Sequence, residues 1–169
     1  MSTKLRVDDV TVIFGTAPER EALPLMRQGE SKAEILARTG HVVAASEVSF
    51  AVDEGEVFVI MGLSGSGKST LVRCVNRLIE PTTGEIEIDG EDVLAADKKQ
   101  LRAIRRTKMA MVFQHFALFS HKTVRENVAY GLKAKGVGTK ERDERAREML
   151  SVVGLDGWGE RYTGNLRGG

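Results

Sequence analysis

One cysteine, Cys74, in 169 residues excludes an internal disulfide framework, and its neighbours Leu71, Val75 and Leu78 suit a buried structural thiol rather than a reactive one. Long apolar runs are missing too. No stretch approaches the roughly 18 residues that span a bilayer. Met1-Ser2-Thr3-Lys4-Leu5-Arg6 leads straight into strand-like sequence without the apolar core of a signal peptide, so the expectation is a chain that stays in the cytoplasm. An excess of one charge is likewise absent: 25 Lys and Arg face 24 Asp and Glu. No global field draws the chain to nucleic acid or to an anionic membrane, and any membrane role comes through a partner. No internal repeat or low-complexity tract is visible. What remains is 41% apolar and 29% charged residues, an ordinary soluble composition on a chain long enough for one domain with a sizeable core.

The stretch that organises the chain is Gly62-Leu63-Ser64-Gly65-Ser66-Gly67-Lys68-Ser69, which joins the apolar run Val57-Phe58-Val59-Ile60-Met61 to a helical pattern. G-x-x-x-x-G-K-S is the spacing of a phosphate-binding loop, whose glycines let backbone N–H groups curl inward toward phosphate oxygens. Lys68 is placed to reach the β- and γ-phosphates, and Ser69 to offer its hydroxyl to Mg²⁺. The run before the loop predicts a strand buried on both faces, and the residues after Lys68 predict a helix whose N-terminus faces the anion. A Gly/Ser loop that merely turns is the bland alternative, and motif and context together favour nucleotide binding.

From the start of the chain, Val10, Val12 and Phe14 alternate as in a strand. Residues 16–40 then read as a helical insertion: Pro18 opens a helix that Gly29 ends, and Ser31-Lys32-Ala33-Glu34 has capping-box spacing before a second helix closed by Gly40. A solvated ornament and a regulatory or partner surface both fit that insertion. Val48, Phe50 and Val52 resume the period of two before a turn at residues 53–56. Leu71, Val72, Val75, Leu78 and Ile79 predict a helix packed on the sheet and stopped by Pro81-Thr82-Thr83-Gly84. Glu85-Ile86-Glu87-Ile88 followed by Asp89-Gly90 predicts a hairpin. Asp97 and Gln100 cap a further helix that ends in Arg102, Arg105, Arg106 and Lys108, read as a solvated basic end. Met109-Ala110-Met111-Val112-Phe113 predicts a second buried strand, with Gln114 at the edge where open α/β sheets bind ligands. Thr123 and Glu126 cap a helix toward Leu132, and Thr139 caps a charged helix reaching Val153.

Leu63 to Thr70, the hairpin ending Asp89-Gly90 and the strand ending in Gln114 together resemble the first half of an ATP-binding cassette, the motor subunit of ABC transporters. The stretches Phe58 to Gly65, Asn76-Arg77-Leu78-Ile79-Glu80-Pro81 and Met111 to Leu118 are similar to the quaternary-amine uptake ATPases that serve glycine betaine, choline or proline importers. The resemblance covers nearly the whole chain. It implies an α/β P-loop NTPase fold of the ABC ATPase type, with an antiparallel β subdomain, a phosphate-binding core over about 42–114 and the start of a helical subdomain over about 115–169. It implies ATP and Mg²⁺ as ligands, held by Gly62, Leu63, Ser64, Gly65, Ser66, Gly67, Lys68, Ser69, Thr70 and Gln114, with Ser69 and Gln114 toward the metal. Phe14 lies where cassettes place an aromatic that stacks on adenine, and an ordinary core Phe is the equal alternative. Transmembrane permease subunits and a second ATPase copy are the implied partners, with no nucleic acid. The implied location is peripheral, at the cytoplasmic face of the cell membrane.

The departures carry expectations of their own. No later apolar run followed by Asp-Glu supplies a Walker B strand, neither His115 nor His121 occupies the switch position, and Leu166-Arg167-Gly168-Gly169 stands where the family's signature begins Leu-Ser-Gly-Gly. Ser120 and Thr163 stand where relatives commonly carry Pro. The leading reading is the ATP-binding subunit that energises quaternary-amine import by ATP hydrolysis, here C-terminally truncated, with residues 1–169 an incomplete nucleotide-binding domain; the alternative is a fragment that binds ATP or docks on a membrane subunit without turnover. A soluble nucleotide kinase is the third reading, disfavoured because the downstream arginines lie on regular amphipathic helices.

Overall fold

The computed structural model describes residues 2–113 and 118–165, in two units, Met1–Lys108 and Met109–Gly169. The first unit is built on four antiparallel strands in the order β2-β1-β3-β4: β1 Thr3–Phe14, β2 Val42–Asp53, β3 Thr83–Ile88 and β4 Glu91–Asp92. Strand β1 begins well before Val10 because Lys4, Arg6 and Asp8 alternate with Leu5 and Val7, and the pleat sends the charges outward. Asp9, at φ 48, makes a bulge that shifts the β1–β2 register between Val7 and Val10. Against β3 the pairing is Leu5↔Ile88, Arg6↔Glu87 and Val7↔Ile86, with Val7 and Ile86 fully buried. Arg6 forks onto Glu87 through Nε and Nη2, each bond 3.1 Å long. Asp89 and Gly90, both at positive φ, form the two-residue turn into β4.

The helical insertion takes the expected place between β1 and β2, as α1 Pro18–Arg27 and α2 Lys32–Thr39. Ser31 and Glu34 make the reciprocal cap: the Glu34 carboxylate accepts from the Ser31 N–H at 2.8 Å and the Ser31 hydroxyl accepts from the Glu34 N–H at 3.3 Å. Ala22, Leu23 and Ile35 from the two helices bury against Ile13 and Val43 at the ends of β1 and β2, giving the insertion a small core of its own.

Helix α3, Lys68–Val75, follows the glycine loop and buries Leu71 and Cys74. It stops short of Ile79 and Pro81, because the chain turns through Arg77 at φ 50 and one arginine, Arg105, takes the carbonyls there. Arg105, on α4 (Lys98–Thr107), donates to the Asn76 and Arg77 carbonyls at 3.0 and 2.7 Å. Arg77 in turn donates to the carbonyls of Val93 and Ala96 at 3.1 and 2.5 Å. The basic end of α4 is therefore only half solvated. Arg102 and Arg106 are exposed, whereas Lys108 reaches Glu91 at 2.8 Å and Asp89 at 3.4 Å.

The apolar run 57–61 corrects the expectation of a buried strand. It has no strand partner among the described residues, and Val57 and Met61 are 87% and 85% exposed. A period-free apolar run becomes a strand only where neighbours satisfy its backbone edges. Phe58 is stacked on Phe50 of β2 with centroids 4.6 Å apart, and Ile60 is half-buried.

In the second unit the run 109–113 likewise forms no strand among the described residues, and Val112 is 96% exposed. Helices α5 (Val124–Val128), α6 (Tyr130–Ala134) and α7 (Thr139–Val152) follow. The expected single helix to Leu132 is thus two short ones meeting at Ala129. The Thr123–Glu126 capping box forms as expected, whereas Thr139 is the first residue of α7 rather than its cap, which is Gly138. Asn127 ties the preceding loop to α5, donating to the carbonyls of Phe119 and Thr123 and accepting from the Phe119 N–H.

Candidate functional site

The loop expected to hold phosphate closes on the N-terminus of α3. The first helical bond runs from the Leu71 N–H to the Gly67 carbonyl at 2.9 Å, so the N–H groups of Lys68, Ser69 and Thr70 precede the ladder and have no acceptor within the helix. These groups and the positive end of the helix dipole suit an anion. Gly67, at φ 88, caps the helix, and its backbone presses on β2: a Cβ there would lie 2.1 Å from the Ala44 carbonyl oxygen. Only glycine fits this contact, which ties the loop to the sheet. Gly65 also has positive φ, and the Ser66 N–H donates to the Leu63 carbonyl at 3.2 Å.

Lys68 folds back across the loop. Its ammonium donates to the carbonyls of Gly62 and Leu63 at 2.8 and 2.6 Å and to the Ser66 hydroxyl at 3.3 Å. Gly62, Leu63, Ser64 and Gly65 are exposed, as is Ser69, whose hydroxyl is one oxygen available to a cation, and Thr70 is half-buried. The donor set fits a polyphosphate: free amides, one ammonium and a backbone cradle that admits no side chain at Gly67. Gln114, the second expected metal contact, lies outside the described residues, as do His115 and the stretch Leu166 to Gly169. Among the described residues no group of three or more His, Cys, Asp or Glu side chains could hold a metal.

Phe14 sits at the end of β1, 43% exposed and paired with Val42. The loop and Phe14 share β2 as a common support, since Gly67 rests on Ala44 two residues from Val42. Sequence reasoning missed three residues that shape this region: Arg105, which takes the carbonyls beyond the far end of α3, Arg77, which ties the turn there to the Val93 and Ala96 carbonyls, and His41, buried where the insertion returns to the sheet. None carries a local signal, because each acts on carbonyls that only the fold brings near.

Residues 45–169 match the ABC transporter family. The chain is 50% identical over 167 residues to the glycine betaine/carnitine transport ATP-binding protein GbuA of Listeria monocytogenes, covering 99% of this chain and 42% of that protein. It is 51% identical over 166 residues to the glycine betaine transport ATP-binding protein OpuAA of Bacillus subtilis, covering 98% and 40%. Against the trimethylamine N-oxide transport system ATP-binding protein TmoW of Pelagibacter ubique it is 44% identical over 165 residues, covering 98% and 48%. The chain thus spans less than half the length of these relatives. Among solved structures it is similar to the cassette MJ0796 in its dimeric, post-hydrolysis state bound to ADP and Pi, with a TM-score of 0.75 and 30% identity over 96% of this chain and 63% of that one. The chain belongs to the ABC transporter ATP-binding family.

Proposed function

We propose that this chain is the ATP-binding portion of the subunit that energises import of a quaternary or related methylated amine. The observation that carries the reading is the glycine loop at the head of α3, with its unpaired amides and the Lys68 ammonium inside it. Gly65, Gly67 and Lys68 cradle the β- and γ-phosphates, Ser69 and Gln114 hold Mg²⁺, and Phe14 stacks on adenine. When bound, Mg²⁺ neutralises phosphate charge. The chain's own residues bind and orient the nucleotide. Relatives named for glycine betaine, carnitine and trimethylamine N-oxide transport support the substrate class.

In the whole protein, two such subunits pair, and each docks on a transmembrane permease subunit at the cytoplasmic face of the membrane. No helix among the described residues is long and apolar enough to cross a membrane. Peripheral attachment through the permease accounts for a membrane role without one. Calorimetric titration with ATP, with and without Mg²⁺, tests the reading: Mg²⁺-dependent saturable binding is expected, and its absence from a chain shown folded by circular dichroism would overturn it.

A further inference from the structure

The helical insertion is closed at its base by one buried side chain. His41 follows the last turn of α2 and precedes β2, and its residue is 3% exposed. Its Nε2 lies 2.9 Å from the Thr16 carbonyl oxygen, where β1 has just ended, and its Nδ1 lies 3.1 Å from the Thr39 carbonyl oxygen at the end of α2. Carbonyl oxygens only accept, so each contact is a hydrogen bond when that ring nitrogen carries a proton. The His41 N–H donates to the Thr39 hydroxyl at 3.2 Å, and the Glu21 carboxylate on α1 stands 3.9 Å from Nδ1. Opposite the ring the chain has yielded: Gly15 sits at φ 146, and a Cβ there would lie 2.1 Å from His41 Cδ2. One imidazole thus lies against the entry to the insertion, its exit and a glycine without alternative, and its neutral form donates to one of the two carbonyls while packing on the other.

That closure acts on a pair of neighbours. Phe14 precedes Gly15 and Val42 follows His41, and the two are paired across β1 and β2. On one side, Ile13 and Val43 are gripped by the insertion's core, while Phe14 and Val42 remain exposed. Val42 is two residues from Ala44, against which Gly67 of the phosphate loop is pressed, a distance of about 7 Å along a strand. Phe14 therefore has a set offset from the loop only if the strand ends stay paired, and an open insertion base would let those ends fray.

We propose that His41 is a positioning residue for the base end of the nucleotide: by closing the α1–α2 insertion it holds Phe14 at a fixed offset from the phosphate loop. The insertion then sets affinity for adenine without touching it. This rests on the reading of Phe14 as the aromatic that stacks on the base.

The test separates base from phosphate. Mg²⁺-ATP and Mg²⁺-tripolyphosphate are titrated calorimetrically into the unsubstituted chain, Phe14→Ala, His41→Ala, His41→Gln and the double Phe14→Ala/His41→Ala. Loss of stacking weakens ATP binding about fivefold in Phe14→Ala and in His41→Ala. Tripolyphosphate binding stays within about twofold throughout, and the double variant is no weaker than Phe14→Ala alone, because His41 acts through Phe14. His41→Gln keeps an N–H donor for Thr16 and recovers part of the loss, and it carries the comparison if His41→Ala unfolds. An unchanged ATP affinity in Phe14→Ala removes the stacking reading, and the proposal with it. A fall in Phe14→Ala without one in either His41 variant overturns the role of His41 alone. Equal falls for ATP and tripolyphosphate in His41→Gln mark a merely structural histidine and also overturn it.

Discussion

The Lys68 ammonium lies 2.6 Å from the Leu63 carbonyl oxygen, five residues back along the chain, and so bridges the two ends of the glycine loop. A cation that satisfies the loop's own carbonyls stiffens the cradle and is already stationed where phosphate charge arrives. Hydrogen bonds to charged groups contribute about 1.5–3 kcal/mol, so Lys68→Ala is expected to weaken ATP binding about ten- to a hundredfold. Calorimetry on both folded forms decides it, and equal dissociation constants would count against a phosphate-binding role for Lys68.

Arg105 supplies the second expectation. Its guanidinium takes two successive carbonyls, those of Asn76 and Arg77, beyond the C-terminus of α3. Arg105→Gln leaves part-buried acceptors without that donor, at a cost of about 1–3 kcal/mol. Arg105→Lys recovers only part, because a point ammonium cannot span the pair as a planar fork does. Urea unfolding should show a lower midpoint with an unchanged slope.

The cap of α2 responds to acid. Hydrogen bonds from the Ser31 backbone N–H and then from its hydroxyl hold the Glu34 carboxyl below its ordinary value of 4.5. A depressed folded value means that the cap's contribution is complete above the ordinary value and is lost as the pH falls through the lower, folded one. The protection of the amides of residues 34 and 35 against exchange, taken relative to the intrinsic rate at each pH, should fall in that acid window. Glu34→Gln keeps the cap's geometry and should flatten this pH dependence, and an identical acid profile in the variant would refute the assignment.

Burial pushes the Cys74 thiol up to about 11, so at neutral pH about one part in ten thousand is thiolate. Iodoacetamide should label the native chain very slowly and the urea-unfolded chain readily, with the native rate reporting opening around α3. Fast stoichiometric labelling under native conditions would contradict a packed Cys74.

Legibility followed the range of each interaction. The phosphate loop and the capping pairs Ser31–Glu34, Asp97–Gln100 and Thr123–Glu126 are written within a few residues, and the geometry of each is present. The runs 57–61 and 109–113 carry apolar character but not the identity of the backbone that would pair with them, so hydropathy alone overstates their burial. Arg105 reads as one more cation at a helix end, and His41 belongs to no motif. Their targets, the carbonyls of Asn76, Arg77 and Thr16, are 29, 28 and 25 positions away, beyond the reach of any local pattern.

The pairing of Arg6 with Glu87 between Leu5↔Ile88 and Val7↔Ile86 makes the sheet intolerant of misalignment. A slip of β3 by one residue would turn Glu87 inward, present Ile86 and Ile88 to water and leave Arg6 without its carboxylate, reversing that strand's face at once. No graded error exists between the two arrangements. The edge of β1 therefore acts as a digital check on register: β3 either docks in the correct frame or is opposed by several residues together.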